Sequence, residues 1–169
     1  MFFAKFRWTL DIEDEIRKEI EGIYPVAHIC SGASGVGDFR LDKVLLDGTW
    51  QSSDHEGRRI FGKPNLCGDM TMLPFRSGAF KAVICDPPYD MKQFGKQLPL
   101  LFSELIRITA PRGKVIFLAP WIIQNEVLEP KKIWLRPAGI RKGAFPTYKI
   151  LSVSYKTNGQ IGDYVHGCV

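Results

Sequence analysis

The chain has 169 residues, of which 45% are hydrophobic, enough for one compact domain with a real core. No apolar run approaches the length of a membrane span, and Met1-Phe2-Phe3-Ala4-Lys5-Phe6-Arg7-Trp8 is too short and too interrupted by bases for a secretory signal, so a single cytoplasmic domain over residues 1–169 is expected. The net charge of +5 is uneven: residues 11–21 hold six acids against two bases, which leaves +9 on the rest of the chain.

Residues 11–23 read as a helix, with Asp11 as its cap, acids in the first turn, and Ile12, Ile16, Ile20 and Ile23 on one narrow stripe. Tyr24 to Ile29 predicts the first strand. The small-residue stretch Cys30-Ser31-Gly32-Ala33-Ser34-Gly35-Val36-Gly37 follows it, and its glycines allow a tight turn and close approach to a ligand. It is not a G-x-G-x-x-G fingerprint. The second strand is either Gly37–Asp42 or Leu41–Leu46. In a doubly wound sheet an acid near that strand's end accepts from ribose hydroxyls, so Asp42, the preferred candidate, competes with Asp47. Residues 47–65 are polar, and a loop of this length is usually functional or disordered. Trp50 and the Arg58-Arg59 pair suit a lid or a nucleic-acid contact, although simple mobility explains the segment equally well. A short strand then ends in Gly68-Asp69, before Met70.

Next comes an apolar run from Phe80 to Cys85, of the length and β-branching of a strand buried on both faces. It stops in Asp86-Pro87-Pro88-Tyr89. Proline cannot extend a ladder and biases the preceding residue towards extended geometry, so these four residues predict a stiff loop at the carboxyl end of a central strand, where open α/β sheets bind ligands. Asp86 and nearby carbonyls offer acceptors, and Tyr89 offers a flat ring for stacking a planar heterocycle. A helix is expected from Leu98 to Thr109, ended by Pro111-Arg112-Gly113, then a strand Lys114–Pro120 and another helix beginning over Trp121–Val127. Lys132–Pro137 and Tyr148–Tyr155 read as two final strands joined by a loop carrying Arg141 and Lys142, with a loose tail after Thr157. From Pro130 to Ile161 there are seven bases and no acid. Such a run is either a solvated strand face or a surface for a phosphate backbone. Cys30, Cys67 and Cys85 each end a strand-like run without a C-x-x-C pair or zinc spacing; buried thiols are the plainer reading, and no metal is expected.

The sequence Asp86-Pro87-Pro88-Tyr89 after a buried strand resembles the D-P-P-Y signature of the class I S-adenosylmethionine-dependent amino-methyltransferases, which methylate exocyclic amines of adenine, cytosine or guanine in DNA or RNA. The resemblance covers roughly residues 24–156. It implies a Rossmann-like open α/β sheet, mostly parallel with an antiparallel terminal hairpin and helices on both faces. It implies S-adenosylmethionine as cofactor, held by Cys30, Ser31, Gly32, Ser34 and Gly35 in the first loop, Asp42 at the ribose, Asp69 and Met70 at the adenine, and Asp86. The family usually has a clear helix after the first loop; here Asp38-Phe39-Arg40-Leu41-Asp42 arrives so soon that the helix is very short or missing.

The same resemblance implies catalysis by Asp86, Pro87, Pro88 and Tyr89. Accepting the two amine hydrogens on Asp86 and the Pro87 carbonyl would pyramidalise the nitrogen, and an unpaired or flipped base would stack on Tyr89. Aspartate in the first position leans towards adenine N6. Arg58, Arg59, Arg141 and Lys142 are candidate nucleic-acid contacts; with only the loop at 47–65 and the basic segment at 131–149 to choose a target, either recognition is short-range, or a partner subunit supplies it, or the substrate is a structured RNA. The alternatives are a methyltransferase of the same fold acting on a protein amide or small molecule, and a catalytically silent module binding nucleic acid or a partner.

Overall fold

The computed structural model describes residues 10–32, 34–43, 52–53, 59–60, 64–88, 95–123, 125–137 and 148–157. Helix α1 spans Leu10–Ile20 and α2 Leu98–Ile108; the strands are β1 Val26–Ile29, β2 Phe39–Asp42, β3 Ser52–Ser53, β4 Arg59–Ile60, β5 Leu66–Cys67, β6 Phe80–Cys85, β7 Thr109–Ala119, β8 Leu128–Pro137 and β9 Tyr148–Lys156. Seven of them form one sheet in the order β5-β2-β1-β6-β7-β9-β8, and β3 and β4 pair separately. The pairs from β5 to β7 are parallel; β9 runs antiparallel to both β7 and β8. The expected mostly parallel, Rossmann-like sheet ending in an antiparallel hairpin is therefore present.

Each face has its own core and its own helix. Alternation along β1, β6, β7 and β9 sends Val26, Ala82, Ile84, Ile116, Leu118, Leu151 and Val153 to one side, where Ile12 and Ile16 of α1 cover them. On the other side Ala27, Ile29, Val83, Cys85, Val115 and Phe117 pack against Leu98, Leu101 and Leu105 of α2. Burying one such leucine contributes about 2 kcal/mol. The α2 helix opens with Pro99 in its first turn and ends where Thr109 turns extended. Its C-terminal carbonyls are satisfied from elsewhere: Lys156 Nζ donates to Ile106 O and Thr109 O at 2.8 Å each. On α1, Glu19 is buried yet ionised: burial opposes its charge, and Lys132 and Lys114 together overcome that and hold the carboxyl below its usual range.

Several expectations need correction. Asp11 lies inside the first turn of α1, because the helix already begins at Leu10. The second strand ends at Asp42, and Asp47 lies outside the described residues. Pro111-Arg112-Gly113 does not separate helix from strand: β7 starts at Thr109, opposite Phe80, and the segment bulges before Lys114 pairs with Ala82. Arg112 takes φ 60° in this bulge, and a Cβ on Gly113 would lie 2.8 Å from Ala110 O, so the bulge needs a glycine there.

The helix expected over Trp121–Val127 is absent among the described residues, which instead form an irregular strap that closes in a turn between Asn125 and Leu128. The reason is distance. β7 leaves the sheet at Ala119, level with Ile150, and β8 must start beside Lys156 at the opposite edge. Six residues of strand separate those levels, about 20 Å; a helix over residues 120–127 would rise only about 12 Å. Ile123 and Val127 anchor the strap on the α2 face, and Asn125 Oδ1 closes its end by accepting from Val127 N (2.9 Å) and Leu128 N (2.8 Å). The connection from β1 to β2 likewise carries no helix among its described residues.

Candidate active site

The carboxyl ends of four parallel strands finish level. Ile29 pairs with Leu41 on one side and Cys85 on the other, and Asp42 pairs with Cys67. The turns that follow β1, β2, β5 and β6 therefore leave the sheet along one edge, which gathers Cys30 to Gly32, Asp42, Gly68 to Met70, and Asp86 to Pro88.

The first turn departs from strand alternation at once. Cys30 has φ 57°, a left-handed conformation disfavoured for a residue with a side chain, and Gly32 follows at φ 51°. The left-handed step packs Cys30 on the α2-side core beside Ile29's cluster, with its Sγ 3.7 Å from Met70 Sδ. Ser34 N donates to Ser31 O at 3.0 Å, and Val36 N to Ser34 Oγ at 3.2 Å, so the turn closes on itself. Ser31 and Ser34 are buried and Gly35 half-buried. Ser31 Oγ has no hydrogen-bond partner among the described residues.

Asp42 ties the first two turns together. Its Oδ2 accepts from Gly32 N at 2.9 Å and its Oδ1 from Lys43 N at 2.7 Å, which leaves each oxygen a further lone pair. Asp69 is exposed at the rim. Thr71 donates to its Oδ1 from both Oγ1 (2.6 Å) and backbone N (2.8 Å), and these bonds hold the carboxyl below its usual range. Met70 turns inward into the α2-side core, whereas Met72, 77% exposed, is the apolar side chain this turn presents to solvent. The segment beyond is clamped to α2: Leu73 N donates to Glu104 Oε2 (2.6 Å), and Arg107 donates to Phe75 O (2.6 Å), Leu73 O (3.0 Å) and Glu104.

Asp86, 7% exposed, stands directly beyond β6, followed by buried Pro87 and half-buried Pro88. Burial pushes the Cys85 thiol well up, the Cys30 thiol adds to the shift, and the Asp86 and Asp42 carboxylates add to it further. One buried sulfur thus senses residues from three of the turns. Tyr89, Arg58, Arg141 and Lys142 lie outside the described residues; Arg59 opens the short strand β4.

Three members of the basic run are already engaged. Lys132 pairs with Glu19, Lys131 with Glu129, and Lys156 caps α2, so the stripe of one sign seen in the sequence is partly neutralised in the fold. Among the described residues no group of three or more His, Cys, Asp or Glu side chains could hold a metal, and no described helix is long and apolar enough to cross a membrane. Nothing in the residue pattern signals the Arg107–Glu104 clamp, and His28 is legible from it only as a strand residue.

A mostly parallel seven-stranded sheet with an antiparallel strand next to its edge is a fold shared by S-adenosylmethionine-dependent methyltransferases. Solved structures agree. The chain is similar to an S-adenosylmethionine-dependent methyltransferase of Methanosarcina mazei, with TM-score 0.54 at 10% identity, covering 90% of this chain and 99% of that one. It is similar to the N-methyltransferase NodS of Bradyrhizobium japonicum, with TM-score 0.53 at 10% identity over 88% and 98% of the two chains, and to a Pyrococcus horikoshii protein, with TM-score 0.52 at 15% identity over 86% and 88%. At these identities the likeness is one of fold. No protein-family model matches the chain, and no curated protein matches it in sequence.

Proposed function

We propose that this chain transfers a methyl group from S-adenosylmethionine to an exocyclic amine of a nucleobase in DNA or RNA, with adenine N6 as the favoured target. The observation that supports the reading is the parallel register of β1 and β6, Ile29 against Cys85, from which the chain enters the first turn at Cys30 and the motif at Asp86 side by side.

The donor set fits the cofactor. Ser31 Oγ is a buried hydroxyl with no partner among the described residues, at the place where a polar ligand would supply one. Asp42 keeps a lone pair on each oxygen for a pair of hydroxyls, and Asp69 uses only Oδ1 among the described residues, leaving Oδ2 to accept from an amino group. Bound S-adenosylmethionine would supply an electrophilic methyl group on a sulfonium.

Everything else falls to the chain's own groups. The carboxylate of Asp86 accepts one hydrogen of the target amine and the Pro87 carbonyl accepts the other, which turns the nitrogen lone pair out of conjugation with the ring. Both prolines lack an N–H, so no backbone donor of theirs competes for those acceptors. Tyr89 stacks the unpaired or flipped base. Asp86 need not take a proton before transfer, because the methylated amine is acidic enough to lose one to solvent. Holding amine and methyl in line supplies much of the acceleration.

The test is transfer of a tritiated methyl group to total DNA and to total RNA, with Asp86→Ala and Tyr89→Ala. Both variants are expected to lose transfer by about a hundred-fold or more; unchanged transfer in both would falsify the assignment. The connection after β1, which carries no helix among its described residues, favours a second reading, a silent module that binds nucleic acid or a partner, and the absence of any heat with S-adenosylmethionine would select it.

A further inference from the structure

We propose that His28 is a positioning residue for the cofactor turn: from the middle of β1 its imidazole holds the Val36 carbonyl and so keeps the turn's return limb in its binding shape. The role rests on the cofactor reading above and extends it to a residue outside the set of ligand-contacting side chains.

His28 is 0% exposed, on the face of β1 that carries Val26, the side of the core formed by Val26, Val36, Ala82 and Ile84, with Arg40 of β2 as its charged neighbour. Leucine or valine would fill that place without the penalty of burying a polar ring. What the imidazole adds is a donor: Nδ1 lies 3.1 Å from Val36 O, and since a carbonyl only accepts, Nδ1 carries the hydrogen. In most sheets of this type a helix follows the first turn and satisfies its own carbonyls by i→i−4 bonds. Here the limb runs back over β1 without a helix, and its carbonyls must find donors elsewhere.

The limb lies directly on His28. A Cβ built on Gly37, which has φ 93°, would come within 3.1 Å of His28 Cβ. The far end of the limb is fixed by Asp38, whose N donates to Val26 O (2.9 Å) and whose Oδ2 accepts from Val26 N (2.8 Å). From the near end a short series of bonds leads to the ligand side: Val36 N to Ser34 Oγ, then Ser34 N to Ser31 O, and Ser31 carries the buried hydroxyl. Burial lowers the imidazole's pKa to about 3, so the ring stays neutral and the Nδ1–H donor is constant at any working pH. His28 touches no reacting group in this arrangement; it acts through the turn.

The experiment compares the native chain with His28→Leu, which removes the donor at similar volume, and His28→Asn, whose side-chain nitrogen falls where Nδ1 was. S-adenosylmethionine affinity is measured by calorimetry, amide hydrogen exchange at Ser34 to Val36 is measured without cofactor, and Tm is recorded for each. The leucine variant is expected to bind about ten-fold more weakly and to exchange faster in the turn, and the asparagine variant to recover both. Stability should rank the other way, since leucine suits an apolar core better than asparagine. Affinity that simply follows Tm, or native-like binding by His28→Leu, overturns the role while leaving the cofactor reading intact. No binding by the native chain overturns the cofactor reading and the role with it. Should His28→Leu fail to fold, His28→Gln replaces it: its donor sits one bond farther out, and affinity equal to that of His28→Asn overturns the role.

Discussion

Lowering the pH from 7 to 4.5 removes stability from this chain through His28. In the folded state burial keeps the imidazole neutral down to about 3, whereas in the unfolded chain it protonates near 6.5. Between these values the unfolded state binds a proton that the folded state refuses, so stability is complete above 6.5 and falls as the pH drops towards 3. Each pH unit in that window is worth about 1.4 kcal/mol, which makes the loss at pH 4.5 about 3 kcal/mol. Urea midpoints of the native chain and of His28→Asn at the two pH values measure it. Carboxylates held low in the fold, Glu104 by Arg107 and Asp69 by Thr71, lose their contribution as the pH falls through lower values still, and they are common to both proteins. The native chain is expected to lose about 3 kcal/mol more than the variant. Equal losses would refute the reasoning, because they would mean that the imidazole titrates alike in both states.

Other substitutions probe the turns around the site. Gly37→Ala forces a side chain into φ 93° and against His28, so it should cost about 2 kcal/mol in urea unfolding. Arg107→Met strips the clamp from Leu73 O and Phe75 O and leaves Glu104 part-buried without its partner; a loss of about 3 kcal/mol, with faster amide exchange over Leu73 to Phe75, is the expected result. Thiol labelling should mark exposed Cys67 first among the three described cysteines and reach Cys85 only on unfolding, read by mass spectrometry of timed samples. Asp86→Asn, which keeps the size of the side chain but loses its charge, should reduce methyl transfer by roughly a hundred-fold while Tm stays within a few degrees.

The sheet was legible in proportion to how far one periodicity ruled a segment. Phe80–Cys85 reads to the residue because a short β-branched run ends against two prolines that no ladder can absorb. Leu98–Ile108 reads as a helix because its leucines recur on one face and nothing in it resists winding. Trp121 to Val127 has helix-like spacing too, yet the chain there must travel the depth of the sheet, a demand made by β8 and β9 and invisible locally. At the site, the turns and their acids were legible as residue types. The left-handed backbone at Cys30 was not, since no side chain advertises it, and neither was the bond from His28, which depends on a limb folding back over its own strand.

The order of strands also sets when this molecule can finish itself. β9 follows β8 along the chain, yet it lies between β7 and β8, and among the described strands β8 pairs with nothing else. During synthesis β8 therefore emerges with no neighbour to add to, carrying Ile133 and Leu135, which remain 49% and 64% exposed even in the finished sheet. The outer third of the sheet closes only once β9 is free, and the ion pair of Glu19 with Lys132 then joins the first helix to it. A product truncated before Tyr148 would be left with a bare β7 edge inviting other chains to pair.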